Sequence, residues 1–198
     1  LLHWVAADKG GSFRKWYGNN DFVINWSNGG QEIIDSPAST PRNLAASFQP
    51  SCSCSKISSG DISFRHHSGG FIFTDASVSL TGAGSLESYS QGFLNSSVCL
   101  TMMKILAPTL NFEVGQIRSL PFIIDVNYQK VVDTQVVDCR ALSRTDWDSY
   151  ETSWDFTELP LLKRQYCGEL QQAYMQWMGE CNKRFYQLKA NEEELNRI

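Results

Sequence analysis

Between residues 170 and 198 the apolar side chains of Leu170, Tyr174, Trp177, Cys181, Phe185, Leu188, Leu195 and Ile198 recur at helical spacing. That spacing puts them on one side of a long helix, and such a stripe has to be covered by a partner surface. The opposite side carries Glu192, Glu193 and Glu194 beside Lys183, Arg184 and Lys189, which reads as a solvated charged face. Pro160 suits an early helix position. The end of the chain is thereby committed to helix, and the expected cover is the parent protein or another chain.

The preceding residues follow a different grammar. Residues 20–26 alternate as a strand does, and Asn28-Gly29-Gly30 is a turn signal leading into residues 31–34. Residues 35–55, with Pro37, Pro41 and Pro50, read as a long irregular segment containing at most a short helix at 44–48. Ile62 and Phe64, then Phe71 and Phe73, fall at period two around Ser68-Gly69-Gly70, the pattern of a hairpin with Arg65, His66 and His67 near its tip. Residues 86–106 read as two helices, the second capped by Asn95 or Ser96, with Met102 and Met103 as core filler and Pro108 as the stop. Short strands are expected at 109–112, 114–119 and 121–124. Residues 125–158 are acidic and aromatic, a connector pinned to the body by Trp147, Tyr150, Trp154 and Phe156. The fold class expected is α+β, a mixed sheet with short helices followed by a long amphipathic helix. Its divisions are 1–124, 125–158 and 159–198.

Composition narrows the function. Hydrophobic residues at 42% and charged residues at 19% describe a folded globular chain. No apolar run approaches the roughly 20 residues of a membrane span, so no membrane partner is expected. The chain starts at Leu and stops within a helical pattern, which reads as a piece of something longer. Six irregularly spaced cysteines are expected as reduced thiols. Cys52-Ser-Cys54 with His66 and His67 suggests a metal, but closed zinc sites bring longer ligand spacing, and no metal ligand is assigned. The net charge of −4 is uneven: residues 1–120 carry eight basic and eight acidic side chains, residues 121–198 nine and thirteen. The first part is therefore free to present a local basic face.

The candidate face is the stretch from Gly10 to Gly30, GGSFRKWYGNNDFVINWSNGG, where cations, amides and aromatics stand together. Cations hold phosphates and amides read base edges. Lys9, Arg14, Lys15, Asn19, Asn20, Lys56, Arg65 and His66 are the expected DNA contacts, with Trp16 and Tyr17 equally suited to pack inward. The histidines have no Ser or Cys nucleophile pattern beside them, and no catalytic residue is assigned.

The segments KGGSFRKWYGNNDFVINWSNGG (9–30), KISSGDISFRHHSGGFIF (56–73), GFLNS (92–96), ILAPTLNFEVGQIRSLP (105–121), SRTDWDSYETSWDF (143–156) and LKANEEELNRI (188–198) together resemble the C-terminal half of the PglX family. These are adenine-specific DNA methyltransferases of the bacterial BREX phage-defence systems. GFLNS and IRSLP are also similar to target-recognition domains of type I restriction specificity subunits and TaqI-type methyltransferases. The resemblance is weakest at 35–55 and 125–142. It implies a bacterial cytoplasmic protein that binds double-stranded DNA beside an upstream domain using S-adenosylmethionine. Other BREX proteins, or a phage inhibitor mimicking DNA, are implied as further partners. Methyl transfer to a flipped adenine needs an [Asn/Asp]-Pro-Pro-[Tyr/Phe] motif and a glycine-rich cofactor loop. None of the six prolines is adjacent to another, and no such loop is present. This chain alone is therefore expected to hold no cofactor and to be catalytically silent. The rival expectations are a protein-interaction module built on 125–198 and, less well supported, a nuclease.

Overall fold

The computed structural model describes residues 3–39, 43–162 and 169–198. Two three-stranded sheets share the N-terminal part. In the first, β1 (Trp4–Asp8) lies between antiparallel β2 (Phe22–Asn25) and parallel β5 (Phe71–Phe73), with Ala6 opposite Val23 and Phe71. In the second, β3 (Ser51–Ser55) lies between β4 (Phe64–His67) and β6 (Ser77–Thr81), both antiparallel to it. The α+β class is as expected. Among the described residues no helix is long and apolar enough to cross a membrane.

Several elements differ from the sequence reading. The irregular segment 35–55 ends in β3, the central strand of its sheet, with all five residues buried. Its Ser-Cys alternation covers both faces with small side chains, so it lacks the apolar–polar contrast that marks a half-buried strand. Residues 44–48 form turns rather than a helix. The expected hairpin around Ser68-Gly69-Gly70 does not form, because β4 and β5 belong to different sheets. Phe48 takes the place a hairpin partner would fill: its N–H donates to Phe71 O at 2.7 Å and its carbonyl accepts from Gly70 N at 3.0 Å. Asn28, Gly29 and Gly30 turn the chain as expected, at φ 53°, 71° and 76°, and lead into the short helix α1 (Gln31–Ile34).

Helices α2 (Glu87–Leu94) and α3 (Ser97–Leu106) match expectation, and Ser96 caps α3 by accepting from Cys99 N at 3.1 Å. Their buried Leu94, Cys99 and Met103 meet Cys52, Cys54, Ile62 and Phe64 in one core. The strands expected at 109–124 are absent apart from a single bridge between Ile57 and Asn111. In their place stands α4 (Val114–Arg118), held by a reciprocal capping box between Glu113 and Gln116.

The acidic stretch is largely a helix, α5 (Val126–Trp147), which opens with the Asp125 side chain accepting from Asn127 N at 2.9 Å. Its Val132, Val136 and Cys139 join Trp16 and Tyr89 in a second core. Trp147 is buried, and Trp154 stacks on Phe71 at 6.3 Å while remaining half-exposed. Past a 3-10 turn at Pro160–Leu162 comes α6 (Leu170–Leu195). It packs on α5, which covers only part of its stripe. The face turned inward includes Ala173, Leu188, Asn191 and Leu195. Leu170, Tyr174 and Phe185 stay largely exposed.

Candidate nucleic-acid interface

Lys9 and Lys56 leave the chain where the two sheets meet. The Lys56 N–H donates to Ala76 O at 2.9 Å. Gly10 abuts the same carbonyl so closely, with φ at 77°, that a Cβ there would sit 2.8 Å from it. Lys9 is exposed, its ammonium 4.5 Å from the centre of the Phe22 ring. Lys56 lies 3.9 Å from Glu113, a loose pair between partly solvated groups. These are the expected contacts that the fold leaves least engaged.

Arg65 has a different setting. It is not at a tip but inside β4, opposite Ser53, and is 0% exposed. Its Nη2 donates to Ser55 Oγ at 3.3 Å. Around it, His67 Nε2 is hydrogen-bonded to Ser53 Oγ at 3.0 Å and lies 3.7 Å from Asp8 Oδ1, while Ser79 Oγ donates to Asp8 Oδ2 at 3.2 Å. Burial by itself would raise the Asp8 carboxyl; the hydrogen bond and charge of His67, with Ser53 and Arg65, outweigh it and hold the group at about 2. Burial lowers the Arg65 guanidinium, and the Asp8 charge opposes that shift. Strand β4 continues through this position, and a buried guanidinium has to stay beside its counter-charge. The face of the sheet is thus closed over Arg65.

Asn19 and Asn20 are likewise buried, and Asn19 Nδ2 donates to Ser12 O at 2.8 Å. Trp16 packs inward, 1% exposed at φ 71°, bridged to β4 by Trp16 N donating to Phe64 O and His66 N donating to Trp16 O.

The remaining cations meet carboxylates from the helices. Arg14 Nη1 reaches Asp146 Oδ2 at 3.1 Å, and its guanidinium stands 5.0 Å from the Trp147 ring centre. Glu192 of α6 accepts from both Lys15 Nζ at 3.1 Å and Trp16 Nε1 at 2.6 Å. His66 Nδ1 is 2.6 Å from Glu87 Oε1, which Arg140 Nη2 also reaches at 3.3 Å. The hydrogen bond from His66 draws the Glu87 carboxyl down, against the effect of burial. Arg140 Nε donates to Gln91 Oε1 at 2.6 Å, and Gln91 Nε2 donates to the Trp16 and Phe64 carbonyls at 3.2 Å. Sequence reasoning missed Glu87, Arg140 and Asp146 and read Glu192 as solvated, whereas it is bonded to Lys15 and Trp16; their partners lie far off along the chain and no local signal announces them.

No family model matches the chain. Across 98% of its length it is 39% identical to the adenine-specific methyltransferase PglX of Lacticaseibacillus casei strain Zhang, covering 17% of that protein. It is 29% identical to the adenine-specific methyltransferase BrxX of Escherichia coli O9:H4 strain HS, again over 98% of the chain and 16% of the relative. The chain therefore corresponds to a partial region, about a sixth, of the curated relatives it matches.

Proposed function

We propose that this chain is the DNA-reading segment of a BREX adenine-specific methyltransferase. In this reading it lies against the duplex, fixes register through phosphates, and offers the target adenine to a domain elsewhere in the parent. That domain binds S-adenosylmethionine and performs the transfer. The observation that supports it best is near-complete correspondence to part of two adenine-specific methyltransferases in a chain without the Pro-Pro motif of the chemistry. A methyltransferase needs a surface that finds the site as well as one that modifies it. Lys9 and Lys56 suit the phosphate-holding role, being cations at one junction with weak internal ties. Arg14 and Lys15 are secondary contacts that would have to share their charge with Asp146 and Glu192.

The test is an exchange of this segment between two PglX proteins of different specificity, with the methylated adenine motif read by single-molecule sequencing. The motif is expected to travel with the segment. Methylation that persists with the recipient's motif would remove the reading. A second role, assembly with other BREX proteins, is favoured by the exposed Tyr174, Met175, Phe185 and Tyr186 on α6. Binding to such a protein without dependence on salt would support it.

A further inference from the structure

A cleft of about 550 Å³ opens between the loop preceding Trp16 and the helices α5 and α6. Its size is within the range of small-ligand sites, roughly 300–1,000 Å³. Four cations line it: Arg14 and Lys15 from the loop, Arg184 and Lys189 from α6. Against them stand two carboxylates, Asp146 and Glu192. The lining is thus net positive by two in a chain whose total is −4. Arg184 and Lys189 lie 4.0 Å from Glu180 and 3.7 Å from Glu193 on their own helix, and Arg184 Nη2 also donates to Cys181 Sγ at 3.2 Å. Such loose, partly solvated pairs cost little to rearrange.

The same cleft has aromatic faces. Phe13 and Phe185, from opposite walls, are 53% and 61% exposed. Leaving two phenyl rings in water forgoes the burial that usually repays an aromatic side chain. Rings beside cations match a ligand that is flat and apolar at one end and anionic at the other. Bases stack on aromatic side chains, while Lys and Arg take the phosphate.

We propose that this cleft binds a phosphorylated nucleoside, its base against Phe13 and Phe185 and its phosphate toward Arg184 and Lys189. The cleft is not lined by Lys9 or Lys56, although it shares Arg14 and Lys15 with the proposed duplex contacts. The ligand chemistry has two sources, a free mononucleotide or one unit of a single strand.

Calorimetric titration of the chain with AMP, with a dA8 oligonucleotide, with adenosine and with inorganic phosphate distinguishes them. Saturable binding of AMP or dA8 that weakens as salt rises is expected, with adenosine and phosphate each at least tenfold weaker. AMP alone would identify a free nucleotide as the source; dA8 alone would identify a strand. Phe185→Ala, at an exposed position, is expected to lower affinity about tenfold, in line with the usual worth of one base stack. Arg184→Gln is expected to reduce both affinity and salt dependence. Met175→Ala, exposed on the same helix outside the cleft, serves as the control. No binding of either nucleotide ligand, binding of phosphate as tight as that of AMP, or binding unchanged in Phe185→Ala would overturn the assignment.

Discussion

Asp8, Arg65 and His67 hold ionisable groups where water scarcely reaches, at 2%, 0% and 2% exposure. Burying charge is costly, and the native fold tolerates it because each group sees its opposite. The Asp8 carboxyl, held at about 2 against an ordinary 3.8, gives the linkage a definite sign. A depressed acid stabilises the fold above its unfolded pKa and loses that contribution as pH falls through the folded value. The window is therefore from about pH 4 down to about pH 2, and the contribution is roughly 2 kcal/mol. Urea unfolding of Asp8→Asn is expected to show at least that loss at pH 7, and a flatter acid limb than the parent; an unchanged acid limb would contradict the assignment. The exposed cations act differently. If Lys9 and Lys56 each hold a phosphate, alanine at both should weaken all duplexes alike and reduce the slope of log affinity against log salt by about 2. A change confined to one DNA sequence would count against phosphate contacts. Both kinds of cation look alike in the sequence. Lys9 and Lys56 follow strands, whereas Arg65 lies within one and faces Asp8 across the sheet junction, a relation no local pattern encodes.

At the scale of the elements, α2 and α5 meet at Gly92. A Cβ there would lie 2.9 Å from Val132 Cγ1 and 3.2 Å from Val136 Cγ2, so the small residue sets the spacing of the two helices. Gly92→Ala gains helix propensity but has to push apart a packed pair. The net expectation is a loss of about 1–3 kcal/mol, typical of overpacking, visible as a lower denaturation midpoint with an unchanged slope. Stabilisation would mean that the pair is loosely packed. The sequence announces α2, α3 and α6 plainly, because apolar spacing and the Ser96 cap agree. It announces α5 more faintly: Val132, Val136, Cys139, Ser143 and Trp147 do fall at helical spacing, but acids and exposed aromatics surround them. For β3 and for the partners of β5 there was little to read. Small residues buried on both faces show no alternation, and the parallel pairing of β5 with β1 is a long-range relation that its adjacency to β4 obscures.

At the scale of the whole molecule, Trp16 joins the sheets to the C-terminal helices. Its backbone bonds to β4, its ring lies in a core with Val132, Val136 and Cys139, and its indole N–H donates to Glu192. Residues 1–124 would lose the cover of this core if α5 and α6 were removed, exposing Trp16 and Tyr89 together. The two ends of the chain should therefore melt as one unit, because both contribute to the core around Trp16 and small domains with such shared packing unfold cooperatively. Thermal unfolding followed by near-ultraviolet circular dichroism, sensitive to Trp16 and Trp147, should coincide with the far-ultraviolet loss of helix. A chain ending at residue 124 should show no cooperative transition. Separated midpoints, or a sharp melt of the shortened chain, would make the sheets an independent recognition domain with the helices as an appendage. A single transition would instead mean that the proposed recognition surface folds only together with α5 and α6. The segment exchange that tests specificity would then have to carry the helices with it.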